Sequence, residues 1–194
     1  MTEESTERRQ LSRRSLITGT LKAGAGAVLL GAGVLAAAQP AAAAIAPSQQ
    51  GWRYCKICKA LVYDSPYNNP CPGSATGHDR SGSFNYWISY DDQDNTYSQT
   101  GWRYCNKCQA LAWGGGDYPC KAGGTHNKTG SLNYALAHNL GAGDGWQQGW
   151  VFCNRCGELY FKSERANSRC TVNAFFGHQD NESYAYQLMF GWVD

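Results

Sequence analysis

The sequence is short of the features that most often announce a function. From Gln49 onward it has no sustained helical period, no run of basic residues, and no Gly-x-Ser-x-Gly or His-Glu-x-x-His motif. Without a helical period, a helix bundle or a doubly wound α/β domain is excluded. Without a basic run, nucleic acid or an anionic membrane is a poor principal partner, because both bindings draw most of their affinity from clustered cations. Without the two motifs there is neither a nucleophile elbow nor a zinc-protease helix. Charge is scarce, at 16% of residues, and the formal net charge is only +2. The longest apolar stretch, Ala23 to Ala38, is too short and too rich in glycine to span a bilayer comfortably.

That stretch sits in a leader of different composition, residues 1–46. A polar start ends in Ser12-Arg13-Arg14-Ser15-Leu16-Ile17, the apolar run follows, and Ala36 to Ala46 offers several small-x-small cleavage sites. The order resembles a twin-arginine signal peptide with Arg13 and Arg14 as the export signal. The resemblance implies passage through the twin-arginine translocase, cleavage by signal peptidase, no stable membrane anchor, and a secreted product in the periplasm or the medium. An uncleaved anchor or an amphipathic leader is the competing reading. Cys55 is the first cysteine, so no lipobox is present. Loss of residues 1–44 leaves twelve cationic and twelve anionic side chains, a formally neutral mature chain.

The remainder repeats itself with a period of about 50 residues. The copies are 47–98, 99–146 and 147–194, expected to form one mature domain. Each opens on Gly-Trp two residues after a glutamine: Gln49 before Gly51-Trp52, Gln99 before Gly101-Trp102, Gln147 before Gly149-Trp150. A Cys-x-x-Cys follows, then Ala60-Leu61-Val62-Tyr63, Ala110-Leu111-Ala112-Trp113 or Glu158-Leu159-Tyr160-Phe161. A loop with a third Cys and a His comes next, and each copy closes on a segment such as Ser83 to Tyr90, with large apolar residues at alternate positions. Alternation is the period of a half-buried strand, and Cys-x-x-Cys between two short apolar segments reads as a hairpin turn. The expected fold class is all-β, three pseudo-repeats of short strands. A unit this small buries too little apolar surface to fold alone, so it needs a staple, sister units, or both. Two arrangements satisfy that need: a closed, β-trefoil-like one about a pseudo-threefold axis, and three zinc-ribbon-like beads in a row.

Nine cysteines fall three to a copy, an odd number that disulfides inside a unit cannot use up. Adding one histidine completes each set: Cys55, Cys58, Cys71 and His78; Cys105, Cys108, Cys120 and His126; Cys153, Cys156, Cys170 and His178. Twelve, eleven and thirteen residues separate the second and third Cys, and six, five and seven separate the third Cys from the His. Loop length varies while ligand identity does not. Three thiolates and an imidazole suit tetrahedral zinc, and four protein ligands leave no open position for catalytic water, so three structural zinc ions are expected. Disulfides are the competing reading in an oxidising compartment. Folding in the reducing cytosol before export favours the metal. An iron–sulfur cluster lacks its usual spacing here. The fourth histidine, His138, occupies the place of Tyr90 and Phe190 and reads as a strand residue of the core rim.

The run Trp102-Arg103-Tyr104-Cys105-Asn106-Lys107-Cys108-Gln109-Ala110-Leu111, with Cys120-Lys121-Ala122-Gly123-Gly124-Thr125-His126, resembles tandem repeats of secreted actinobacterial proteins. The resemblance covers nearly all of residues 49–190 and implies secretion and modularity, with no reaction attached. Copy three departs most, with Thr171 to Gly177 replacing the glycine-rich loop. The expected function is a secreted, non-catalytic binding protein for an extracellular or cell-surface ligand, carbohydrate among the candidates. Trp87 and Trp146 are the aromatic residues without counterparts in the other copies, and a sugar's apolar face stacks on such rings. The alternatives are a structural or adaptor subunit docked on a secreted protein partner and, third, a secreted hydrolase. Asp91-Asp92-Gln93-Asp94-Asn95 lacks the length and bidentate Glu of a calcium loop and reads as a solvated turn.

Overall fold

A computed structural model describes residues 47–67, 69–172 and 175–191; the leader, with Arg13 and Arg14, lies outside the described residues. Each copy folds into three strands. In the first, β1 (Ser48–Tyr54) and β2 (Leu61–Tyr63) form an antiparallel hairpin, and β3 (Asn85–Tyr90) pairs with the other edge of β1. The second copy repeats this with β4 (Ser98–Tyr104), β5 (Leu111–Trp113) and β6 (Tyr134–His138). The third has β7 (Trp146–Phe152), β8 (Leu159–Phe161) and β9 (Tyr186–Gly191), plus a 3-10 turn, Lys162–Asn167, that no sequence period announces. Among the described residues, no helix is long and apolar enough to cross a membrane.

The copies close on one another, so the arrangement is the closed pseudo-threefold one and not a row of beads. The strands β3, β6 and β9 pair mutually: Tyr90 faces Tyr134, His138 faces Tyr186, and Phe190 faces Tyr86. At the opposite end single bridges join the short strands in the same cyclic sense, Val62 to Ala110, Ala112 to Glu158 and Tyr160 to Ala60. The nine strands therefore form one sheet around one axis. β4 and β7 begin at Ser98 and Trp146, one residue ahead of the copy boundaries, because their ladders already run there, opposite Ala137 and Met189. Trp146 is thus the first residue of a strand.

Alternation places Tyr86, Ile88 and their equivalents inward, where they meet Trp52, Trp102 and Trp150. All three tryptophans are fully buried, and each meets a tyrosine of a neighbouring copy edge-on: Trp52 with Tyr134 at 5.2 Å, Trp102 with Tyr186 and Trp150 with Tyr86 at 5.3 Å. Burying an aromatic side chain of about 200 Å² contributes roughly 5 kcal/mol before entropic costs. The core is therefore made by contacts between copies, as expected of units too small to stand alone.

The Gly before each Trp has a physical cause. Gly51, Gly101 and Gly149 adopt φ of 92°, 93° and 95°, where the first strand of each copy shifts register. A Cβ there would meet the ring of Tyr63, Trp113 or Phe161 at 3.2, 3.0 or 3.1 Å. Only glycine tolerates both the left-handed backbone and the ring. A recurring serine closes each copy: Ser83, Ser131 and Ser183 accept through Oγ from the backbone N–H of Tyr54, Tyr104 and Phe152.

Candidate metal centres and axial pocket

The Cys-x-x-Cys of each copy forms the hairpin turn between its first two strands. The N–H of Lys59, Gln109 and Gly157 each donates to the carbonyl of the first cysteine at 2.8 Å, and these residues take φ of 69°, 66° and 75°. The third cysteine and the histidine arrive on the long loop. Its return is pinned where Asp79, Asn127 and Gln179, each following the histidine, accept from Lys56, Asn106 and Asn154. The variable loop lengths are thereby absorbed outside the ligand set.

All twelve expected ligands come together in three buried groups, with ligand atoms within 4.8 Å of one another in each. None of the nine cysteines is in a disulfide. Cys55 and Cys71 Sγ lie 4.0 Å apart and Cys105 and Cys120 Sγ 3.9 Å apart. The His Nδ1 atoms lie 3.5, 3.4 and 3.4 Å from Cys58, Cys108 and Cys156 Sγ. Zn–S of about 2.3 Å and Zn–N of about 2.0–2.1 Å give a tetrahedron with S···S edges of about 3.8 Å and S···N edges of about 3.5 Å. The donor set fits that tetrahedron, whereas a disulfide needs sulfurs about 2.05 Å apart. The cofactor is structural zinc at three sites.

Without the metal, each group is a charge cluster. Hydrogen bonds from Cys58 and Cys71 hold the Cys55 thiol far below the usual thiol range, with Cys105 and Cys153 held likewise in their own sets. Burial disfavours the charged imidazolium of His78, His126 and His178, but hydrogen bonds to the thiolates outweigh it and lift each to about 10. Zinc held by these twelve residues would take the place of those protons and supply the thiolates of each set with one common counter-charge.

The second nitrogen of every ligand histidine reaches into the next copy. With Nδ1 turned to the sulfurs, Nε2–H donates to a backbone carbonyl: His78 to Cys108 at 3.0 Å, His126 to Cys156 at 2.9 Å, His178 to Cys58 at 3.1 Å. Each acceptor is the second knuckle cysteine of a neighbouring site. Such an outer bond fixes the tautomer and ring orientation of a metal-binding histidine. Sequence spacing gave no sign of it. Glu158 was also missed: it is 2% exposed, where the other copies have Ala60 and Ala110, with carboxylate oxygens 3.9 Å from His126 Nε2 and 4.0 Å from His178 Nε2. A charged residue at an alanine position of an otherwise regular repeat is the signal that could have found it.

Trp87 and Trp146, far apart in sequence, line one pocket of about 240 Å³. The lining takes equivalent positions from all three copies, so the pocket lies on the pseudo-threefold axis, over the outward face of β3, β6 and β9. Symmetry fails there. Trp87 corresponds to Ala135 and Gln187, Ser89 to Ala137 and Met189, and Trp146 to Ser48 and Ser98. Trp87 Nε1 is buried with no hydrogen-bond partner among the described residues. His138 is buried in the strand ladder and stacks on Tyr184 at 4.3 Å, apart from any ligand set. Compared with known proteins, the chain matches no protein family, no curated protein and no solved structure.

Proposed function

We propose that this is a secreted, zinc-stabilised, non-catalytic binding protein whose axial pocket takes an extracellular or cell-surface ligand, a carbohydrate in the first instance. One observation carries the reading: the two tryptophans without counterparts, Trp87 and Trp146, line the same pocket together with Ser48, Ser89, Asp92 and Gln187. Flat apolar rings beside a few polar groups are the usual make-up of a sugar site. The closed Cys3His spheres support a scaffold role for zinc. Export through the twin-arginine translocase, followed by signal peptidase cleavage, accounts for zinc loading in the reducing cytosol.

Titration of the zinc-loaded protein with a panel of neutral and acidic oligosaccharides, followed by tryptophan fluorescence, tests this. Trp87→Ala is expected to weaken binding about tenfold or more. Unchanged affinity in that variant removes the pocket as the site. Hydrolysis of the glycan by the wild-type protein removes the non-catalytic reading.

A second reading, a structural or adaptor subunit of a secreted complex, is favoured by the third-copy loop, where Val172, Phe175 and Phe176 are 50%, 96% and 73% exposed. Co-purification of a second secreted protein, lost in Phe175→Ser, is the result expected of it.

A further inference from the structure

We infer that the protein has three further binding sites, one at each seam between copies, each taking a single ring of a neutral sugar chain. They go beyond the axial pocket, share no lining residue with it, and stand or fall on different measurements.

Three clefts of about 160, 190 and 250 Å³ open at the seams. Each is built from the same positions of two neighbouring copies. At the base of all three is a tyrosine of one copy donating its hydroxyl to a glutamine Oε1 of the copy before it in the cycle. Tyr86 donates to Gln147 at 2.6 Å, Tyr134 to Gln49 at 2.5 Å, and Tyr186 to Gln99. Each glutamine Nε2 donates to no protein group among the described residues and, not being one of the buried unpaired atoms, is open to solvent beside an aromatic floor.

The walls repeat as well. One wall carries Tyr54, Tyr104 or Phe152, and the facing strand carries Phe161, Tyr63 or Trp113. At the mouth stands Phe84, Leu132 or Tyr184, the last 46% exposed. Core packing explains the inward tyrosines but not a cleft kept open at all three seams with an amide donor left over.

The lining selects the ligand class. No Lys or Arg is among the lining residues of the three clefts; Glu182 adds negative charge to one, and Glu164 in another is paired with Lys59 at 3.5 Å, so none presents a net positive lining to an anion. Uncharged donors and acceptors beside ring faces suit a pyranose, apolar on one face and hydroxylated at its edge. The clefts fall below the roughly 300–1,000 Å³ typical of sites that enclose a whole ligand. Each therefore holds one residue of a chain, and linkage of three weak sites on one scaffold supplies the avidity.

The test is an NMR titration of the ¹⁵N-labelled, zinc-loaded full chain with short neutral oligosaccharides of glucose, mannose, galactose and N-acetylglucosamine. The side-chain amide signals of Gln49, Gln99 and Gln147 are expected to shift together and saturably with one of these sugars. Tyr184→Ala is expected to abolish the Gln99 shift alone, and Tyr184→Phe to retain it. Glutamine amides that stay still with every sugar overturn the inference, and the wild-type titration decides this without any variant. If only the Trp87 and Trp146 indole signals move, the axial pocket binds and the seam sites fall. If the glutamine amides move and the indoles do not, the seam sites stand and the axial pocket is removed as a site for neutral sugars.

Discussion

His178 donates through Nε2 to the carbonyl oxygen of Cys58, 3.1 Å away and 120 residues apart in sequence. This bond carries the third metal site back to the first and closes a ring of three such links. A bound zinc would thus fix a histidine that braces the knuckle of the neighbouring site, and loss of one ion is expected to be felt at the next.

His178→Ala removes a ligand from the third site and a donor from the knuckle of the first. The third ion is expected to be lost and the first to be held about 10–100-fold more weakly, the usual effect of losing an outer-shell partner. Chelator competition with native mass spectrometry counts both. Two ions retained at wild-type affinity would refute the coupling.

Stripping all three ions is expected to unfold the domain. Structural zinc contributes roughly 10–16 kcal/mol in small peptides, as much as the whole stability of an ordinary domain. The near-ultraviolet circular dichroism of the buried Trp52, Trp102 and Trp150 is the readout, and it should collapse on chelation and return on adding zinc. A spectrum unchanged by complete metal removal contradicts the role of the ions as staples.

Gly101→Ala places a Cβ 3.0 Å from the Trp113 ring at φ of 93°. The expected cost is about 1–3 kcal/mol, read by thermal or denaturant unfolding. Gly141→Ala, where a Cβ meets nothing within 4 Å, is expected to stay within about 0.5 kcal/mol of wild type.

Burial holds the His138 imidazole below its ordinary value, with Asp94 pulling the other way. The unfolded imidazole titrates near about 6.5, so below that pH the unfolded chain binds more protons than the folded one. Stability from this group is thus present above about 6.5 and is lost as pH falls towards the lower folded value. His138→Tyr, the residue that the first copy has at Tyr90, is expected to flatten this part of the profile. Equal slopes for the two proteins between pH 5 and 7, in chemical denaturation, would remove His138 as the cause.

The metal groups were legible because thiolates and imidazoles are scarce, chemically distinctive side chains that recur in register. The strands were legible at Tyr86, Ile88 and Tyr90, where alternation repeats in every copy. Closure was one of two open arrangements, since the residues that decide it, such as His138 opposite Tyr186, meet only across copies. The histidine ring was invisible for a plainer reason. Its acceptors are backbone carbonyls, which every residue has, so no letter marks Cys58, Cys108 or Cys156 as special. The Tyr–Gln bonds at the seams left a trace in Gln49, Gln99 and Gln147, yet only the fold shows that each glutamine serves its neighbour's tyrosine. Trp87 and Trp146 stood out by lacking counterparts, and their convergence on one pocket needed the axis.

The mutual pairing of β3, β6 and β9 also limits how such a gene can grow. An open stack of modules lengthens by a unit at either end, but a ring has no end to extend. A fourth copy would have to break one of three closed ladders to enter, and deletion of one copy would leave two raw edges, one unbraced knuckle and one ligand histidine without its acceptor. Growth by duplication would therefore need a second ring beside the first, with all three copies of the first kept together.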